Sequence, residues 1–236
     1  MFSETIKAVV AAVRLLFRSR LTLLLLVALY GALLFAGYVF VTTREATIPQ
    51  LLLTLALALI APVLFFALQA VSVNYVNGPG STAALIRKSA SDGLRLIAIS
   101  VPVFVLTALA FNGLGKIQSQ HTIVSAVRYL LIGVIAPLLA IQLWVAASRH
   151  GLRPLLRRVH HVAARAFAPQ SVFIYACGVL VFAIAPYFLI FHTSHIERAW
   201  LELSLLAVRL VVSAFLILFG WVATVGTLAL LSKRGC

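Results

Sequence analysis

Acidic side chains are almost missing from this chain: five Asp and Glu residues stand against 19 Lys and Arg among 236 residues. The five are Glu4, Glu45, Asp92, Glu197 and Glu202, and only Glu197 and Glu202 lie near one another. Catalysis by paired carboxylates, one acid and one base, therefore has almost no material. Cysteine is as scarce. Cys177 lies in an apolar run and Cys236 is the last residue, so neither a disulfide framework nor a prenylation signal, whose cysteine stands four from the end, is expected. A serine nucleophile elbow, a phosphate loop, a Cys-x-x-Cys pair and a haem-attachment motif are also absent. Asn77-Gly78-Pro79-Gly80 reads as a turn, since it follows no strand and carries no phosphate-binding Lys. His192, His195, Glu197 and Glu202, joined by His121 from a neighbouring loop, are the only group resembling metal ligands. They lack a rigid three-ligand spacing with supporting partners, so no metal and no other cofactor is expected, and neither is an enzyme.

Charge of either sign is rare too, at 10% of residues, while hydrophobic residues make up 63% and the mean hydropathy is +1.12. Such a composition excludes a soluble domain of this length. Apolar runs near the roughly 20 residues that cross a bilayer occur at about 21–41, 48–76, 96–112, 123–148, 171–191 and 200–231. Six spans are expected. The first is preceded by basic residues but is too long for a signal peptide and reads as a retained span. The third is the shortest and holds Pro102.

The basic residues sort by side. Lys7, Arg14, Arg18 and Arg20 precede the first span; Arg87, Lys88 and Arg95 lie between the second and third; Arg149, Arg153, Arg157, Arg158 and Arg165 lie between the fourth and fifth; Lys233 and Arg234 follow the sixth. With six spans all of these share one side, and only Arg44, Lys116 and Arg198 fall on the other. By the positive-inside rule both termini are cytoplasmic. A net charge of +14 in a soluble chain would point to nucleic acid. Here the basic groups gather at the ends of apolar runs, so anionic membrane lipid is the expected partner and nucleic acid is not.

The sharpest local signal is 149–167. At helical spacing Leu152, Leu155, Leu156, Val159, Val162, Ala163, Ala166 and Phe167 fill an arc of about 140°, and Arg153, Arg157, Arg158, Arg165, His160 and His161 take the other side. Such a helix lies in a membrane surface. Residues 3–17 repeat the pattern, with Ile6, Val9, Val10, Val13, Leu16 and Phe17 on one face and Lys7, Arg14 and Arg18 on the other. Residues 81–95 repeat it weakly: Arg87, Lys88, Asp92 and Arg95 oppose Ala83, Ile86, Ala90 and Leu94, and Leu85 breaks the pattern. The expected fold is thus an all-α polytopic membrane protein of one transmembrane domain, residues 1–236. Its six transmembrane helices form three hairpin repeats at about 3–76, 80–149 and 151–231, each preceded by an amphipathic interfacial helix. Ile60-Ala61-Pro62 answers Ile135-Ala136-Pro137, and Ala126-Val127-Arg128 answers Ala207-Val208-Arg209.

Inside the spans, Pro62 and Pro137 each free a carbonyl, which serves either helix packing or a transporter's midplane site. Gln69 and Gln142 suit hydrogen bonds between helices. Arg128 and Arg209 lie toward the outer ends of their spans, where a long side chain snorkels, and Glu202 stands seven before Arg209, a spacing that permits a buried pair. Small residues at Ala28, Ala32 and Ala36, beside Gly31 and Gly37, and at Gly220 and Thr224 allow close helix approach.

The layout from the Lys7–Arg20 entry to the Lys233-Arg234 exit, a basic amphipathic helix followed by two spans and repeated three times, resembles the six-span bacterial inner-membrane proteins of the YciC type. It is also similar to the membrane domain of some glycerophosphodiester phosphodiesterases. The resemblance is one of architecture. It implies a bacterial inner-membrane location and carries over no catalytic residue. The expected function is non-enzymatic: a membrane-complex subunit or lipid-interacting scaffold whose basic in-plane helices meet anionic lipid and dock a protein partner or a second copy. The alternative is a small transporter or lipid flippase with kinked repeat helices.

Overall fold

The computed structural model describes residues 2–43, 47–77, 82–116, 121–157, 159–192 and 199–234, and these contain helices and short connections only. In chain order they are α1 (Phe2–Arg18), α2 (Arg20–Thr42), α3 (Ile48–Asn74), α4 (Thr82–Gly115), α5 (His121–Leu130), α6 (Ala136–His150), α7 (Leu152–Arg157), α8 (Val159–Ala166), α9 (Pro169–Val179), α10 (Ala185–Phe191) and α11 (Ala199–Arg234). A 3-10 turn, Tyr75–Asn77, follows α3, and π-helical turns at Leu131–Ile135 and Leu180–Ile184 join α5 to α6 and α9 to α10. Six helical stretches are long and apolar enough to cross a membrane: Arg20–Thr42, Ile48–Asn74, Ala83–Gly115, Thr122–His150, Pro169–Phe191 and Trp200–Lys233. The chain is a polytopic membrane protein.

Only two of the three basic amphipathic segments stand apart from a span. After α1 the chain breaks at Ser19, whose extended backbone (φ −107°, ψ 100°) caps α2 while its hydroxyl accepts from the Thr22 amide at 3.3 Å. After α6 it breaks at Gly151, where φ is +76° and the amide closes on the Ala147 carbonyl at 3.0 Å. Residues 82–95 meet no such break and form the first turns of α4, so the third span is longer than its apolar run. Gly93 lacks the left-handed conformation that would end the helix there.

The core occupies one end of the bundle. It gathers the last turns of α3, the first of α4, most of α6 and the last half of α11. Lys233 donates to the Val76 carbonyl at 3.3 Å and α1 packs on both α11 and the 3-10 turn, so the first and last described helices meet where α3 ends. We refer to this as the basic end. Backbones approach closely here. A Cβ at Gly226 would overlap the buried Tyr75 ring, one at Gly178 would overlap Thr224, and one at Gly220 would press on Val181 and Phe182 at 3.0 Å. On α2, by contrast, Gly31 and Gly37 face open space, although Ala36 beside them is buried.

The prolines fit into this packing. Pro137 cannot donate to the Gly133 carbonyl four residues back, and the Tyr175 hydroxyl of α9 donates to it instead at 2.7 Å. The π-helical turn ahead of Pro137 ends with the Ala136 amide reaching back to Leu131, and the one ahead of Pro186 ends with Ala185 reaching back to Leu180. Ile184-Ala185-Pro186 is thus a third Ile-Ala-Pro site in the register of Ile135-Ala136-Pro137. At Pro62 the helix stays regular.

Candidate functional site

Besides the first turns of α4 and Lys233, the basic end presents cationic groups on two separate structures, α1 and the α6–α8 region. Around α1 three faces can be told apart. Thr5, Ala8, Ala12 and Leu16, three and four apart, are buried against the bundle. Ile6, Val9, Val10 and Phe17 form a second, exposed face, with Ile6 at 61%, and only the edge of it meets protein, where the Phe17 ring lies 5.9 Å from that of Phe219. Lys7, Arg14 and Arg18 form the third, also exposed. The apolar periodicity therefore covers two environments, and of the six residues expected on one face only Leu16 is buried in the protein. Small residues at Ala8 and Ala12 let α1 lie close to its neighbours.

The second structure is a cavity of about 970 Å³ between the end of α6, the α7–α8 pair and Ser232 of α11. Four arginines, Arg149, Arg153, Arg157 and Arg165, line it together with His150, His160 and His161, and none of the described residues that line it is acidic. Each is placed by a different constraint. The Arg149 guanidinium donates to the Ala229 carbonyl of α11, which ties the head of this side chain to the bundle. Arg153 and Arg157 share one face of α7, four apart, while buried Leu155 fixes that helix onto α6. Arg165 and the two histidines project from α8, where buried Ala166 and half-buried Val162 make the packing contact, and the His160 and His161 rings lie 4.0 Å apart. Gln142 of α6, itself buried, supplies an amide to the wall. Val145, Ala146, Leu155 and Val162 supply apolar surface.

Other residues singled out in the sequence fall elsewhere. Arg87 is exposed and Lys88 half-buried on the first turns of α4. Nearby Asp92 is buried and accepts from Asn74 at 2.9 Å and from Arg95 at 3.1 Å, so the acid of this segment is neutralised inside the bundle. Gln69 accepts from the Trp221 indole at 2.7 Å and serves as a link between helices. Burial pushes the Tyr75 phenol up, so it stays a donor, directed at the Val222 carbonyl. Glu202 and Arg209 are not paired: Arg209 donates to the His192 carbonyl that ends α10, and Glu202 is exposed. The Arg128 guanidinium covers the Phe111 ring at 3.8 Å. Arg158, His195 and Glu197 lie outside the described residues, and among the described ones no metal-ligand cluster forms.

Sequence reasoning missed that His150 and Gln142 face the same hollow as the arginines. The first sits at the end of the α6 span and the second within it, so only the turn at Gly151 brings α7 and α8 back over them. Searches against protein-family models, curated proteins and solved structures return no match for this chain.

Proposed function

We propose that this membrane protein is a non-enzymatic lipid-interacting scaffold or complex subunit of a bacterial cytoplasmic membrane, with both termini cytoplasmic, of the YciC type. The observation that carries the reading is the three-sided α1. A helix with one face on protein, one exposed and apolar, and one exposed and basic has the layout needed at a lipid surface: apolar side chains enter the acyl boundary while cations meet anionic headgroups. In water the apolar face of Ile6, Val9, Val10 and Phe17 would be costly to leave uncovered. Arg87, Lys88 and the arginines of α7 and α8 extend the cationic surface, which also suits an acidic partner protein docking at the same level.

The test is lipid enrichment around the full chain. Reconstituted into phosphatidylcholine vesicles holding a minor fraction of phosphatidylglycerol and gently extracted, the protein carries phosphatidylglycerol above its bulk share. Lys7→Gln combined with Arg14→Gln and Arg18→Gln removes most of that excess. Equal enrichment in the variant and the native chain would sink the reading.

One observation favours the second reading, a small transporter or lipid flippase: the paired π-helical turns ahead of Pro137 and Pro186, since such turns often mark functional positions. Flux of labelled lipid across proteoliposomes that is lost in Tyr175→Phe would shift the balance to it.

A further inference from the structure

The hollow at α6–α8 differs from the α1 surface in gathering four arginines around one volume. We propose that it is a discrete binding site for a phosphate group, one per chain, presented either by a phospholipid headgroup or by a free phosphorylated solute. The proposal deepens the membrane-surface reading and rests on it only for the lipid source.

Four guanidinium groups around one hollow repel one another, and none of the described residues that line it is acidic. Asp92, the one buried carboxylate among the described residues, is already held by Asn74 and Arg95. An anion entering the hollow relieves that repulsion and takes charge-assisted hydrogen bonds. Arginine's planar fork matches the oxygens of a phosphate two at a time. A phosphate monoester, with close to two charges and three acceptor oxygens, engages several guanidinium groups at once where a single carboxylate engages fewer.

Anchoring of Arg149 on the Ala229 carbonyl keeps part of this charge in place before any ligand arrives. Such preorganisation lowers the cost of binding. The volume, about 970 Å³, is near the upper end of small-molecule sites and leaves room for a glycerol or sugar attached to the phosphate. Gln142 and the histidines provide further hydrogen-bonding groups for that polar part, and Val145 and Leu155 provide an apolar wall. Leu152 on α7, Val159 on α8 and Phe167 directly after α8 are exposed apolar side chains of the same segment, which suits a lipid's acyl chains.

Native mass spectrometry of the detergent-solubilised full chain tests this with three probes: dioleoylphosphatidic acid, glycerol 3-phosphate and, as control, dioleoylphosphatidylcholine. One phosphatidic acid per chain is retained and the control is not. Changing the exposed Arg153, Arg157 and Arg165 together to Gln weakens retention about tenfold or more, as loss of charge-assisted bonds entails. The α1 triple variant keeps the single bound lipid, so leaflet enrichment and cleft occupancy fail separately. If glycerol 3-phosphate binds alone and displaces the lipid, the source is a free solute; if it neither binds nor competes, the source is lipid. Retention unchanged in the cleft variant, or no stoichiometric binding of either phosphate probe, overturns the proposal.

Discussion

Within α3 every residue from Leu68 to Asn74 is buried, while Ile48, Leu51, Leu52, Leu55 and Leu59 at the other end are each more than half exposed. The same division runs through α11, where Val222, Val225 and Leu228 are buried and Trp200, Leu203, Val208 and Val211 stand open. Side chains of equal hydropathy thus serve as a protein core in one half of the bundle and as a lipid-facing surface in the other. Water would collapse the second half. In a bilayer the acyl chains are as apolar as leucine, so no hydrophobic force closes the helices, and they associate where close packing and hydrogen bonds reward it. Those rewards sit at the basic end: glycines under Tyr75 and Thr224, and the links Trp221–Gln69, Trp144–Ser100 and Asn74–Asp92.

Substitutions that sharpen this contrast come in pairs. The largest effect is expected at Gly226, where a methyl group meets the buried Tyr75 ring. Gly226→Ala costs about 3 kcal/mol, read as a lowered unfolding midpoint in detergent, whereas Gly31→Ala in open space leaves the midpoint unchanged or slightly raised. Next comes Asp92→Ala, which removes the acceptor shared by Asn74 and Arg95 and costs about 2 kcal/mol by the same assay. Tyr175→Phe withdraws the donor from the carbonyl that Pro137 frees and costs about 1 kcal/mol. If Pro137 is changed to Ala in the same chain, the backbone supplies its own donor and the penalty of Tyr175→Phe shrinks, which a double-mutant cycle reads directly. The smallest effect belongs to the open half, where Phe104→Ala or Leu203→Ala shifts stability by less than about 0.5 kcal/mol. A shift as large as that at Asp92 would mean that a partner covers this half.

The six spans were legible because a bilayer demands about 20 apolar residues whatever the neighbours are, and the observed stretches lie within a few residues of the apolar runs. The exception, α4, had a basic beginning that the apolar count excludes but that α-helical geometry continues through. Which half of each span packs was not legible, since Leu and Val read the same against lipid as against protein. On α1 a two-class periodicity of apolar and polar positions could not separate the face on protein from the exposed apolar face. The signal that separates them was present in Thr5, Ala8 and Ala12, small side chains at spacings of three and four. The arginines of the cleft were legible one by one. Their meeting around one hollow depends on the reversal at Gly151 and on the tie from Arg149 to α11, which no local pattern encodes. The third Ile-Ala-Pro site was in plain view at Ile184 and escaped because it stands 49 residues after the second and breaks the expected period of about 75.

The placement of α1 at the lipid surface is tested most directly by site-directed spin labelling of the full chain in phosphatidylglycerol-containing vesicles, with both native cysteines replaced by Ser. Nitroxides at Val10 and Phe17 should be relaxed by oxygen and shielded from a water-soluble nickel chelate, and those at Lys7 and Arg14 should show the reverse. Equal exposure of all four positions to the chelate would place the helix in water and contradict the account.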